Sequence, residues 1–282
     1  MGFRMGSVDG RAVLAVDDVV YDVERASGGA LPSSPRRAIA QHAALHELSA
    51  RLSASDRDGA PLGPTAEVLL GPPVPWPRQV FGIGLNYRLH AAESGSELPS
   101  VPLVFTKFQG CLVGPTADIP VAAPTTDYEA ELVVVIGTGC KDVETADAWD
   151  VVAGLTVGQD VSDRDLQYAT KPAQFSLGKS RDGYGPVGPF VVSPDLVPDR
   201  NALSVRCEVN GDVRQADSTA NMIFGVAELV SYLSSILTLH PGDLIFTGTP
   251  AGVGRTTGRY LQAGDAVTTT IEGIGTLSNR CV

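Results

Sequence analysis

Apolar and polar positions change period several times along the 282 residues, and each change predicts an element. Residues 11 to 18, Arg-Ala-Val-Leu-Ala-Val-Asp-Asp, form an apolar run closed by two acids, which predicts a strand ending in a turn. The Gly28, Gly29, Pro32 and Pro35 stretch predicts a loop. From there Arg36 to Leu52 carries Ala38, Leu45, Leu48 and Leu52 at helical spacing, so one amphipathic helix is expected. Prolines 61, 64, 72, 73, 75 and 77 then surround a single apolar patch, Val68-Leu69-Leu70, which reads as a linker. A boundary near residue 72 divides the chain into a small N-terminal α+β domain, 1–72, and a larger second domain, 73–282.

The second part is richer in strand patterns. Thr125-Thr126-Asp127-Tyr128-Glu129-Ala130-Glu131 begins polar and acidic, then runs as Leu132-Val133-Val134-Val135-Ile136 to Gly137, which predicts a strand entering the core. Side chains alternate along a strand, so Asp127, Glu129 and Glu131 are expected on one face and Tyr128 and Ala130 on the other. A second apolar run, Val151 to Gly158, leaves the core at Asp160. Val205 to Val209 followed by Asn210-Gly211 signals a hairpin. Phe224 to Leu239 has helical spacing and stops at His240-Pro241-Gly242. Residues 243–254 read as a strand running into a glycine-rich loop, and 261–282 as further short strands. The expected class is α+β and β-rich.

Composition narrows the function. A formal charge of -11 argues against nucleic acid or an anionic membrane as partner. Apolar runs are too short to cross a bilayer, and the run Ala12 to Val16 meets Asp17 and Asp18 too soon for a signal peptide. Cys111, Cys140, Cys207 and Cys281 are scattered without CxxC pairing. They are expected as reduced thiols of a cytoplasmic protein, neither a disulfide framework nor a zinc site.

Candidate chemistry follows from the acidic strand. Carboxylates aimed at one point raise one another's pKa unless a cation lies between them, and a hard divalent ion with oxygen ligands meets that need. Asp160, where its strand leaves the core, is a candidate third ligand. Residues 79–95 carry a Gly-x-Gly whose third glycine position is Tyr87, so a dinucleotide site is rejected. A strand, a turn and a short helix capped by Asn86 and ended by Gly95 fit better. On that helix His90 and Glu93 are three apart and share a face, and a carboxylate beside an imidazole is how a general base is prepared. His42 and His46 also share a helix face, but with no suitable carboxylate or cysteine beside them they read as surface residues. Gly178-Lys179-Ser180 lacks the earlier glycine of a phosphate loop, because that position is Ala173. Lys179 is then a surface lysine or a buried cation facing the acidic cluster. Asp163-Arg164-Asp165 reads locally as an ion-paired turn.

Taken in order, these blocks resemble the fumarylacetoacetate hydrolase family over about residues 78–282. They are Gly84-Leu85-Asn86-Tyr87 with His90 and Glu93, Asp127-Tyr128-Glu129-Ala130-Glu131-Leu132, Gln159-Asp160-Val161-Ser162, Leu177-Gly178-Lys179-Ser180, Gly185-Pro186, and Thr247-Gly248-Thr249-Pro250-Ala251-Gly252-Val253-Gly254. The resemblance implies a mixed β-roll with flanking helices behind a small N-terminal domain, assembled as a homodimer. It implies Glu129, Glu131 and Asp160 as metal ligands, His90 and Glu93 as a catalytic pair on a mobile helix, and Lys179 as an active-site lysine. Thr249, Arg164 and Gln167 fall on positions near substrate. Arg181, Gln109-Gly110 and Leu89 depart from the family pattern. Arg181 and Gln109 are expected to form a polar pocket edge suited to a substrate with a second carboxylate.

The implied reaction is metal-dependent cleavage of a carbon-carbon bond in an acylpyruvate, giving pyruvate and a carboxylic acid. A small anionic 2-oxo acid binds the ion, His90 oriented by Glu93 takes a proton from water, and the leaving carbanion is delocalised as an enolate. Lys179 would stabilise oxyanion charge. Ligands at -3, an ion at +2 and Lys179 at +1 sum to zero, so an anion is admitted. Mg²⁺ or Mn²⁺ suits the all-oxygen shell best, and Ca²⁺ is also compatible. The same arrangement serves oxaloacetate-type decarboxylation and isomerisation or hydration of 2-oxo dienoates. A 2-oxo acid binding protein without catalysis ranks lower, because His90, Glu93 and Lys179 are all present.

Overall fold

Strands β1 (Arg4–Val8), β2 (Arg11–Val16) and β3 (Val19–Asp22) form an antiparallel meander in the computed structural model, which describes residues 2–54 and 61–282. Asp17 and Asp18 turn the chain at φ 47° and 62°, a left-handed conformation that short acidic side chains tolerate. The strand and turn expected at 11–18 are therefore present. The helix expected over Arg36–Leu52 is instead two, Pro35–Ile39 and His42–Ser53, broken at Gln41. Ile39 and Leu45 are six positions apart, roughly 120° around a straight helix, yet both are fully buried, and the break turns both inward.

The proline-rich segment is more than a linker. After 55–60, which lie outside the described residues, β4 (Pro61–Pro64) pairs with β3 at the sheet edge, where proline's missing N–H costs nothing. Gly71 N–H donates to the Ser7 carbonyl, and Ser7 Oγ donates to the Pro72 carbonyl, so this stretch is fastened to β1.

The chain continues through β5 (Val80–Gly84), β6 (Leu103–Thr106), β7 (Leu112–Val113), β8 (Thr126–Asp127), β9 (Ala130–Ile136), β10 (Val152–Gln159), β11 (Ser162–Asp163) and β12 (Gly185–Val192). It ends with β13 (Ser204–Val209), β14 (Asp212–Ser218), β15 (Leu244–Phe246), β16 (Ala266–Ile271) and β17 (Gly275–Arg280). Among the described residues eleven strands join one sheet, in the order β4-β3-β2-β1-β12-β10-β9-β15-β5-β6, with β7 on β12. A second sheet runs β14-β13-β16-β17. The architecture is mixed α+β and sheet-rich, with no closed barrel.

Strand β9 shows why its sequence is apolar at every position. Leu132, Val134 and Ile136 face the core shared with Val205, Cys207, Val267 and Leu277 of the second sheet. Val133 and Val135 face the core shared with Leu14, Ile39, Leu45 and Leu48 of the N-terminal elements. A strand covered on both faces needs apolar side chains on both. The hairpin at Asn210-Gly211 is present, with φ of 55° and 83°, and the later helix runs Val226–Ile236. No helix among the described residues is long and apolar enough to cross a membrane.

Candidate active site

The single acidic strand expected from Asp127 onward is interrupted. Strand β8 ends at Asp127, β9 begins at Ala130, and Tyr128 turns its hydroxyl to the Gly252 carbonyl at 2.9 Å. The interruption sends the three acids to two destinations. Asp127 accepts the backbone N–H groups of Tyr128, Gly254 and Arg255, and so anchors the glycine-rich loop instead of joining the ligand set. Glu129 and Glu131 keep a common orientation.

Asp160 completes the cluster through strand register. Gly158 stands opposite Glu131 and Gln159 opposite Ala130, while Asp160 N–H donates to the Glu129 carbonyl at 2.9 Å. One carboxylate oxygen from each of Glu129, Glu131 and Asp160 then lies within 4.8 Å of the others, all three side chains buried. Burial, reinforced by Asp160 and Glu129, holds the Glu131 carboxyl well above the usual range. Burial works against ionisation of Glu129 too, but Lys179 and Arg164 overcome it and bring that group down to about 2. Three buried carboxylates converging on one point, one of them unable to ionise comfortably, are the donor chemistry that a hard divalent cation relieves.

Cations surround this cluster. Lys179 Nζ donates to Glu129 Oε2 and Asp160 Oδ2, each at 2.7 Å, and to Ser162 Oγ at 3.0 Å. All three of its N–H bonds are thereby engaged. Burial pulls against the ammonium form, yet Asp160 and Glu129 raise its pKa above the ordinary lysine value. Lys179 is thus a buried cation, the second of the two roles considered for it. Arg164 is buried as well. It bridges Asp127 and Glu129 at 2.8 and 2.6 Å and donates to Gln167 Oε1 at 2.9 Å, so the ion-paired turn read there is also part of the site. Asp163 caps the helix Arg164–Gln167 and pairs with Arg181.

Lys107, which no sequence motif marks, is a further cation at the cluster. Its fully buried ammonium donates to Asp160 Oδ1 at 2.6 Å and to the carbonyls of Lys179 and Tyr184. The available signal was a lysine inside the apolar run Leu103-Val104-Phe105-Thr106-Lys107-Phe108 of a chain with few lysines. Counting Asp127, Glu129, Glu131 and Asp160 as -4 against Lys107, Arg164 and Lys179 as +3, the buried set is -1 when fully ionised. A divalent ion brings it to +1, which suits a singly charged anion.

Of the cluster, Glu129 lines a cavity of about 300 Å³ whose wall also includes Lys179, His90, Arg164, Gln167 and Thr249. His90 comes from the helix Arg88–Glu93, which is fixed at its start differently from expectation. The residue at the N-cap is Tyr87, and Asn86 is buried, donating to the Thr247 and Phe224 carbonyls and accepting from Phe224 N–H. Asn86 therefore ties the helix entry to the two neighbouring segments. Gly95, at φ 65°, follows the helix end as expected. His90 Nδ1 lies 2.7 Å from Glu93 Oε1. Burial opposes ionisation of Glu93, but bonds from His90, Gly252 N–H and Thr256 Oγ1 outweigh it and lower its pKa. An ionised Glu93 accepts from Nδ1 and leaves Nε2 as the basic nitrogen.

The other expected pocket residues divide. Thr249 donates to the Ala130 carbonyl and accepts from Gln215, and Gln167 gives its oxygen to Arg164, leaving its amide NH₂ as the free end. Gln109 and Arg181 do not reach this cavity. Gln109 borders a separate cavity beside Trp76 and Leu70, and Arg181 is turned outward against Asp163, so the polar edge expected from them is not built there. His42 and His46 make no metal cluster among the described residues: His42 Nε2 lies 3.4 Å from Thr138 Oγ1, and His46 stacks edge-on against Phe3.

Residues 79–282 match the fumarylacetoacetate (FAA) hydrolase C-terminal family. The chain belongs to that family. It is 44% identical over 217 residues to a fumarylacetoacetate hydrolase domain-containing protein 2 homolog of Dictyostelium discoideum, covering 72% of this chain and 71% of that one. Its fold superposes on a maleylpyruvate hydrolase of Sphingobium sp. SYK-6, solved with manganese(II) and pyruvate, with TM-score 0.81, 28% identity and coverage of 99% and 98% of the two chains. It also superposes on a 2-hydroxyhepta-2,4-diene-1,7-dioate isomerase of Mycobacterium marinum, with TM-score 0.72, 32% identity and coverage of 100% and 98%. A hydrolase or isomerase of this class is what these likenesses support. The acidic cluster and the manganese-bound relative together point to a divalent metal.

Proposed function

We propose that this protein hydrolyses the carbon-carbon bond of an acylpyruvate in a divalent-metal-dependent reaction, with Mg²⁺ or Mn²⁺ held by Glu129, Glu131 and Asp160. The observation that carries this reading is the His90–Glu93 pair, 2.7 Å apart, whose histidine lines the same cavity as Glu129 of the carboxylate cluster. Glu129, Glu131 and Asp160 would hold the ion, which would supply Lewis acidity to the 2-oxo acid end of the substrate. His90 Nε2 takes a proton from water, and the hydroxide formed adds to the distal carbonyl. The bond between that carbon and the methylene breaks with its electron pair passing to the methylene side. His90 then returns its proton to the former methylene carbon, giving pyruvate, and the acyl group leaves as a carboxylic acid that ionises. Lys179, with its N–H bonds committed, acts by balancing and holding Glu129 and Asp160, while the amide of Gln167, which lines the cavity, would bind substrate oxygen.

A second reading, isomerisation of a 2-oxo dienoate, is favoured by the likeness to the isomerase and would use His90 for proton transfer at carbon. Decarboxylation of an oxaloacetate-type substrate needs less of the machinery, because it requires no base for water. Comparing kcat/KM for acetylpyruvate, fumarylpyruvate, oxaloacetate and a 2-oxo dienoate at equal Mg²⁺ separates the three. A tenfold lead for oxaloacetate, about 1.4 kcal/mol, would replace the hydrolase reading. We further propose a cytoplasmic homodimer. The β6 edge of the main sheet, with Leu103 and Val104 each 38% exposed, supports the self-association. Light scattering at twice the 29.4 kDa chain mass is the expected result.

A further inference from the structure

The cations around the carboxylate cluster are all neutralised by neighbours. Lys107 is held by Asp160, Lys179 by Glu129 and Asp160, and Arg164 by Asp127 and Glu129. Arg255, on the wall of the same cavity, differs. Its guanidinium lies 3.6 Å from the centre of the Tyr168 ring, and among the described residues no carboxylate pairs with it. A guanidinium stacked on a ring keeps its in-plane N–H donors free and loses little freedom when a planar oxyanion arrives.

Its backbone is fixed relative to the cluster. Arg255 N–H donates to Asp127 Oδ2, Asp127 is held by Arg164, and Arg164 holds Glu129. Next to it, Thr256 Oγ1 donates to Glu93, the partner of His90. The stacking partner Tyr168 leans edge-on against Phe175, which leans on Phe105, so the side wall is an aromatic ladder. The cavity thus has Glu129 of the acidic cluster in its lining, an aromatic side and one uncommitted cation at an exposed rim.

Resting on the acylpyruvate reading, we propose that Arg255, held by Tyr168, is the specificity-determining residue that receives a second carboxylate at the far end of the substrate. The preferred substrates are accordingly 2-oxo acids whose acyl arm ends in a carboxylate. One planar guanidinium offers the paired donors that a carboxylate accepts, whereas a phosphoryl dianion calls for more donors than this rim provides. The second-carboxylate selectivity expected of Arg181 and Gln109 is carried by a residue that sequence reading did not single out.

Two measurements test this on the metal-loaded enzyme. The first is the ratio of kcat/KM for fumarylpyruvate to that for acetylpyruvate. Arg255→Met should lower the ratio at least tenfold, mainly through KM for fumarylpyruvate, and Arg255→Lys should give an intermediate value because it keeps charge without the fork. The second needs no turnover: calorimetric binding of 2-oxoadipate and of pyruvate in the presence of Mn²⁺. Wild type should bind 2-oxoadipate at least tenfold more tightly, and Arg255→Met should remove most of that difference. Failure to hydrolyse either acylpyruvate with the binding difference intact would reject the reaction and keep the role of Arg255. Ratios equal in wild type and Arg255→Met would overturn that role. The side chain is exposed, so both variants should melt with wild type; if Arg255→Met does not, Arg255→Lys alone decides, an unchanged binding ratio showing that the paired donors are not used.

Discussion

Lys107 and Lys179 grip opposite oxygens of Asp160, at 2.6 Å on Oδ1 and 2.7 Å on Oδ2. The two lysines arrive from segments 72 positions apart, and the carbonyl of Lys179 also accepts from Lys107, so the pair is interlocked. A carboxylate held from both sides keeps one orientation before an ion arrives. Removing one partner of a fully buried pair leaves an uncompensated charge and costs about 3–5 kcal/mol. Lys107→Met should therefore destabilise the protein by that amount in urea denaturation. A loss under about 1 kcal/mol would show that Asp160 is compensated elsewhere.

The acids of the interrupted strand should behave as two groups. Alanine at Glu129, Glu131 or Asp160 removes a donor from a three-donor set, and each variant should lose calorimetric Mn²⁺ binding. Asp127→Asn should keep it within a few-fold while lowering stability, because Asp127 serves the Gly254 and Arg255 N–H groups and Arg164. Equal loss of Mn²⁺ affinity in Asp127→Asn would place Asp127 among the ligands after all.

General base catalysis is worth about 10² to 10⁴ in rate, so His90→Ala should raise the barrier by roughly 3 to 5 kcal/mol with Mn²⁺ binding retained. Glu93→Gln should cost less in kcat, since the amide oxygen still accepts from Gly252 N–H and Thr256. Near-normal kcat in His90→Ala would mean that water is activated by another group.

Acid should release the His90 helix. Glu93 has its pKa lowered in the folded protein, so its contribution is complete above its unfolded value of about 4.3 and is lost as pH falls through the depressed folded value. In urea denaturation at a series of pH values, the stability advantage of wild type over Glu93→Gln should be constant near neutrality and shrink below about pH 4.3. An advantage that grew on acidification would contradict the latch formed with His90, Gly252 and Thr256.

What the chain order alone determined is local and periodic. Alternation along a strand put Glu129 and Glu131 on one side, helical spacing put His90 beside Glu93, and Asn210-Gly211 specified a hairpin, because each depends on backbone geometry over a few residues. The ordered blocks also carried the family likeness that residues 79–282 bear out. Tertiary structure decided the rest. The β9–β10 register brought Asp160 to Glu129, and the break at Tyr128 sent Asp127 to the loop at Gly254. Packing between distant segments buried Lys107, made Arg164 a bridge, turned Arg181 outward and left Arg255 at the cavity rim. A long side chain reads the same in sequence whether it ends in solvent or against a buried carboxylate. Only the surfaces assembled around it fix which partner its charge finds.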